Sequence, residues 1–309
     1  MPLSCLAAIA LVPGSGASAD EVVLAPFNDN TLFETMDGST SNGAGNAVFS
    51  GKTGFLGGGV KLRAVLAFDV VGDIPAGSTI TSANLTLVLV QASIFGGVYT
   101  HTLHRILADW GEGTSVASGG GGALSTPGDA TWLHTFFPDQ FWTNQGGDFD
   151  PIVSASQSVG TCSGPCVPVV PHTWASTPQM VADVQGWLDD PPTNFGWLLM
   201  GNEDASNSAK RFASREFVNP KHRPMLTVEF SPPPFSTADI TGPRGVSDGC
   251  VDAFDLGAML GAWCSGINDP NPPSPPCENC TPVNLAIADI SGAANLPDGC
   301  VDAFDLAKL

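Results

Sequence analysis

The sequence predicts a mainly β protein, a two-sheet β-sandwich of jelly-roll type with one helix, followed by a small α-helical calcium module. Three observations predict it. Between Asp20 and Ser231, short alternating apolar runs are punctuated by Gly, Asn and Pro clusters, the pattern of half-buried strands joined by turns. A single apolar stripe at helical spacing interrupts them. Beyond that, the stretch Asp248-Gly249-Cys250-Val251-Asp252-Ala253-Phe254-Asp255-Leu256 recurs letter for letter at Asp298 to Leu306, which marks a duplicated unit.

The strands are expected at Glu21–Phe27, Leu62–Val70, Ser82–Val90, Tyr99–Ile106, Phe195–Met200, Ala209–Phe217 and Met225–Phe230. For the helix, Thr177 is a suitable cap and Pro178 suits the first turn. Met180, Val181, Val184, Trp187 and Leu188 form the stripe, and Asp189-Asp190-Pro191-Pro192 ends it. Four segments follow: an export segment over 1–19, the sandwich over 20–231, a Pro-rich linker over 232–237 and the duplicated module over 238–309. The 309 residues leave room for two domains, one with a sizeable core.

A net charge of −19 argues against nucleic acid and anionic membrane surfaces as partners. No apolar run is long enough to span a membrane. Leu6 to Val12 is a short apolar core, and Ala17-Ser18-Ala19 is a cleavage-type triplet before Asp20. No Lys or Arg precedes Lys52, so the positive start of an export signal is missing. The second repeat also stops short of the Gly261-Ala262-Trp263-Cys264 ending of the first, so the chain is expected to be truncated at both ends. A secreted or cell-surface location follows, with cysteines oxidised. The candidate bridges are Cys162–Cys166, Cys250–Cys264 and Cys277–Cys280; closing the second contributes roughly 3 kcal/mol if unstrained. A zinc site from Cys250, Cys264, Cys277 and Cys280 is the rival reading.

The repeats carry the metal chemistry. Calcium takes six to eight oxygens, which one tightly curled loop can largely supply. Asp248, Asp252 and Asp255 would ligate through side chains and Cys250 through its carbonyl, with Asp298, Cys300, Asp302 and Asp305 as their counterparts in the second of two Ca2+ sites. The pair resembles a type I dockerin, a duplicated loop-helix calcium module. It departs from that pattern because Asp239 and Thr241, and likewise Asp289 and Ser291, are separated from the next aspartate by an insertion of equal length in both copies. Either the insertion loops out and these residues still ligate, or local carbonyls and water replace them. The resemblance implies docking to a cohesin-like or scaffold partner. Ala253, Phe254, Ala303 and Phe304 stand where dockerins present partner-reading residues; packing of both phenylalanines between the helices is the bland alternative.

Residues 20–231 also resemble a known family. The carriers are Arg63-Ala64-Val65-Leu66-Ala67-Phe68-Asp69, Ile74-Pro75-Ala76-Gly77, Asp109-Trp110-Gly111-Glu112-Gly113, Asp183-Val184-Gln185-Gly186-Trp187, Asn194-Phe195-Gly196-Trp197 and Arg215-Glu216. In this order they are similar to the DNRLRE domain, related to carbohydrate-binding module family 96. The resemblance implies a sandwich that binds a polysaccharide or surface glycan, or serves as an accessory module.

Five of the eleven basic residues fall between Lys210 and Arg223. Arg211 and Arg215 would share a strand face and bind a uronate polymer by bidentate carboxylate contacts; internal pairing with Asp69 or Glu112 is the alternative. Trp110, Trp132, Trp142 and Trp174 lie in Gly- or Pro-rich stretches and are candidate sugar-stacking platforms, or else structural. Tyr99, His101 and Arg105 share one strand face and are the weak candidates for a lyase. No nucleophile elbow, phosphate loop or dinucleotide fingerprint is present. The leading expectation is a non-catalytic binding protein with a docking tail. The alternatives are a secreted polysaccharide lyase or glycoside hydrolase acting in polysaccharide breakdown, and a structural surface or matrix protein.

Overall fold

A computed structural model describes residues 19–162 and 164–233. The expected calcium loops, their docking pairs, the bridges Cys250–Cys264 and Cys277–Cys280, and the export segment up to residue 18 lie outside the described residues.

The described chain runs β1 (Asp20–Leu24), β2 (Pro26–Phe33), β3 (Thr40–Ser41), β4 (Ala47–Lys52), β5 (Lys61–Phe68), β6 (Thr79–Ala92), β7 (Tyr99–Ile106) and β8 (Ala123–Leu124). Then come β9 (His134–Phe136), β10 (Gln140–Phe141), β11 (Phe149–Val159), β12 (Gly164–Trp174), α1 (Pro178–Asp189), β13 (Trp197–Met200), β14 (Lys210–Ala213) and β15 (Met225–Ser231). The expected mainly β class with one helix holds. Eleven strands form one antiparallel sheet, ordered β1-β15-β6-β14-β4-β5-β13-β7-β11, with β12 beside β6 and β2 beside β5. The sheet curls because β4 pairs with β14 through Ala47–Ser50 and with β5 through Gly51 and Lys52.

Alternation decides which face turns inward. In β15, Leu226, Val228 and Phe230 are buried while Met225, Thr227 and Glu229 are not, as the two-residue period of a strand requires. They meet Leu85, Leu87 and Leu89 of β6, Ala64, Leu66 and Phe68 of β5, and Met180, Val184, Trp187 and Leu188 of α1 in the main core. Thr177 caps α1, its hydroxyl accepting from the Met180 N–H at 3.0 Å.

A second apolar layer lies on the other face of β5. Val65 and Ala67 turn away from the main core and pack with Leu32, Leu198, Trp110, Trp132 and Trp142. Burial on both faces removes the alternation of β5 after Arg63. The long segment between β7 and β11 supplies this layer, and its tryptophans cover the sheet.

Several strands differ from expectation for local reasons. Strand β12 carries Pro165, Pro168 and Pro171 and pairs only with β6; prolines lack the N–H a central strand needs and are tolerated at an edge. The strand expected from Phe195 begins at Trp197 instead. Gly196 has φ +75°, and a Cβ there would lie 2.0 Å from the Leu66 carbonyl oxygen. The strand expected over Ala209–Phe217 ends at Ala213, so Arg211 lies on a strand and Arg215 in the turn after it.

Candidate binding groove

Strands β4 and β14 run side by side with Arg211 opposite Phe49. Above this pair opens a cavity of about 310 Å³, bounded by Gln91 and Ser93 at the end of β6, by Ser118 to Gly120, and by Gly54 and Asn207. Arg211 is the charged side chain that faces it, and its lining holds no carboxylate, in a chain that holds thirty Asp and Glu residues.

Arg211 is fixed by neutral groups. Its Nη1 donates to Gln91 Oε1 at 3.2 Å and its Nη2 to Asn46 Oδ1 at 2.9 Å. The guanidinium lies over the Phe49 ring, 5.6 Å from its centroid, a cation–π contact. Nε makes no hydrogen bond. Among the described residues no carboxylate pairs with Arg211, whereas Lys61, Arg63, Arg105 and Arg215 all have one. Burial lowers the Arg211 pKa, yet guanidinium remains charged in proteins. Its charge is therefore oriented, partly desolvated and uncompensated.

Lys210, on the opposite face of β14, is buried; its ammonium donates to the Gly97 carbonyl at 2.8 Å and lies 5.7 Å from the Tyr99 ring centroid. Burial pulls its pKa down to about 8.

Two aromatic side chains stand free beside the cavity. Phe55 is 91% exposed and Phe95 79% exposed. Phe55 follows the lining residue Gly54 in a 3-10 turn, and Phe95 lies two residues after Ser93. Both turns close on Asn207: a Cβ on Gly54 would meet its side chain, and one on Gly96 its carbonyl oxygen. Sequence reasoning passed over both phenylalanines. The available signal was an apolar pair flanked by glycine with no strand alternation, at Phe55-Leu56-Gly57 and Ile94-Phe95-Gly96.

Of the candidates singled out from sequence among the described residues, Arg211 lies in this groove; the others fall elsewhere. Trp110, Trp132, Trp142 and Trp174 are all buried. The indole N–H groups of Trp110, Trp142 and Trp174 donate to the carbonyls of Phe195, Thr131 and His101. None of the four is a platform: their area completes the two apolar layers instead. Arg215 is not on a strand face with Arg211. It donates to Glu112 Oε2 at 2.6 Å and lies 3.3 Å from Glu216 Oε1, the internal pairing that was the alternative. Asp69 is not its partner; its Oδ1 accepts from the Val71 and Gly72 N–H groups.

Tyr99, His101 and Arg105 do share a face of β7, and that face points into the core. His101 is 0% exposed, packed edge-on against Phe212, and burial lowers its pKa to about 4. Arg105 stands 3.7 Å from Asp150 and 3.9 Å from Asp183. At about 3.4 Å per residue, Tyr99 and Arg105 are roughly 20 Å apart along the strand, too far to act on one reacting centre. Cys162 and Cys166 form the expected bridge, 2.02 Å between sulfurs. No helix among the described residues is long and apolar enough to cross a membrane.

In comparison with known proteins, no family model and no curated protein matches the chain.

Proposed function

We propose that residues 20–231 form a non-catalytic module that binds an acidic polysaccharide in the groove beside β14. On this reading the module is a jelly-roll-like sandwich of DNRLRE type, in a secreted or cell-surface protein. Its tail would fold around two Ca2+ ions and dock to a cohesin-like or scaffold partner. The observation that carries the reading is Arg211: an oriented guanidinium without a carboxylate, in a groove free of acidic side chains.

A uronate carboxylate supplies the missing counter-charge and accepts from donors that neutral amides leave unused. Phe55 and Phe95 offer apolar faces to the C–H surface of a sugar ring. The acidity of the whole chain opposes a polyanion at long range. Salt screens that repulsion over about 8 Å at physiological strength, so groups at contact distance decide affinity.

The test is a glycan array probed with residues 20–231, followed by incubation with the uronate polymers that bind. Retention of uronate polymers with no unsaturated product supports a binding module. Release of unsaturated product would make the protein a lyase. Binding to no glycan would leave a structural surface role.

A further inference from the structure

The turn after β14 builds a second polar centre on the described domain. Asp29 of β2 is 0% exposed. Its backbone N–H donates to Glu112 Oε1 at 2.8 Å, and its Oδ2 accepts from the Arg215 N–H at 2.7 Å. Arg215 Nη1 donates to Glu112 Oε2 and approaches Glu216 Oε1, while the Glu216 N–H donates to Ser214 Oγ at 3.1 Å. These contacts use every carboxylate oxygen of the three acids except two. Asp29 Oδ1 and Glu216 Oε2 are buried and have no partner.

Ligand oxygens from Asp29, Glu112 and Glu216 lie within 4.8 Å of one another. Buried oxygens without a donor are costly, and three carboxylates against one guanidinium leave two negative charges in a small volume. A divalent cation satisfies both deficits. We propose that Asp29, Glu112 and Glu216 hold one divalent metal ion, and that this ion is calcium.

An all-oxygen donor set selects a hard cation. Magnesium keeps several waters in strict octahedral order, whereas calcium accepts irregular carboxylate sets. Enclosure of Asp29 favours the ion that sheds its water. The ion would tie β2, the loop after β7 and the turn after β14 to one point. It is distinct from the calcium loops expected in the tail and does not rest on the polysaccharide reading.

The alternative occupant is a proton held between Asp29 and Glu216, and the test separates the two. The full-length chain is prepared with Asp248→Ala, Asp252→Ala, Asp298→Ala and Asp302→Ala to silence the tail. It is stripped with chelator and titrated with calcium by calorimetry, and its melting is followed by tryptophan fluorescence. The expected result is one calcium bound per chain and a rise in melting temperature. Glu216→Gln, on the more accessible side, abolishes both, and Asp29→Asn does the same. Absence of heat and of any melting shift at millimolar calcium overturns the proposal. So does binding undiminished in Glu216→Gln and Asp29→Asn. The titration of the tail-silenced chain decides the matter even where a variant fails to fold.

Discussion

The indole N–H of Trp197 donates to the buried carboxylate of Asp183 at 2.9 Å, tying β13 to α1 through the main core. Ser154 donates to the same oxygen, Gln179 Nε2 donates to the other at 3.0 Å, and Arg105 stands 3.9 Å away. One carboxylate thus satisfies donors from a strand, a helix and an edge strand. Asp183→Ala orphans them together, and a loss of about 3 kcal/mol is expected. Urea unfolding followed by tryptophan fluorescence measures it.

The imidazole of His101 gives the fold a pH dependence of known sign. Burial, the largest cause, lowers its pKa from 6.5 to about 4 in the folded chain. Between these values the unfolded chain binds more protons. The stability tied to the neutral ring is therefore fully present above pH 6.5 and is lost as pH falls to about 4, in total about 3 kcal/mol. His134 and His172 are shifted the same way, also by burial. The carboxyls of Asp29, Asp129 and Glu216 are raised, chiefly by desolvation, and act in the opposite sense. The contribution is isolated by comparing unfolding free energies of the wild type and His101→Gln from pH 4 to 7. The difference should narrow as pH falls.

Gly196 is replaceable by nothing larger. At φ +75° an added Cβ would sit 2.0 Å from the Leu66 carbonyl oxygen, inside the pairing of β13 with β5. Gly196→Ala is expected to destabilise by on the order of 3 kcal/mol, read as a fall in the urea midpoint at constant slope.

Phe55 and Phe95 separate binding from stability. Their exposure predicts that Phe55→Ala and Phe95→Ala change unfolding free energy by less than about 0.5 kcal/mol. Each should weaken uronate binding by about 1 kcal/mol if the ring covers a sugar face. Affinity electrophoresis through a gel containing the polymer, beside a melting curve, checks both.

Much of the scaffold was legible from the sequence. Strand β7 is placed residue for residue, and α1 with its Thr177 cap is read from local chemistry alone. Residue spacing suffices for α1 because it buries a single face; β7 is legible from its alternating start, Tyr99 to Thr102, although His104 and Ile106 bury its second face. Strands buried on both faces, such as β4, show no alternation, and β12 is masked by its prolines. The tryptophans misled for a related reason. A Gly- and Pro-rich surrounding reads as exposed loop, but the segment between β7 and β11 folds down as a second apolar layer, a long-range fact that no local pattern carries. Arg211 was picked out by composition. Only the structure separates it from Arg215, because ion pairing joins the turn after β14 to Glu112, about a hundred residues away.

Whether Arg211 recognises a sugar carboxylate is decided by calorimetric titration of the chain with a defined uronate oligosaccharide. The expected result is binding that Arg211→Gln weakens by about ten-fold or more, with the melting temperature preserved. Equal affinity in the two proteins, or no heat with any uronate, would contradict it.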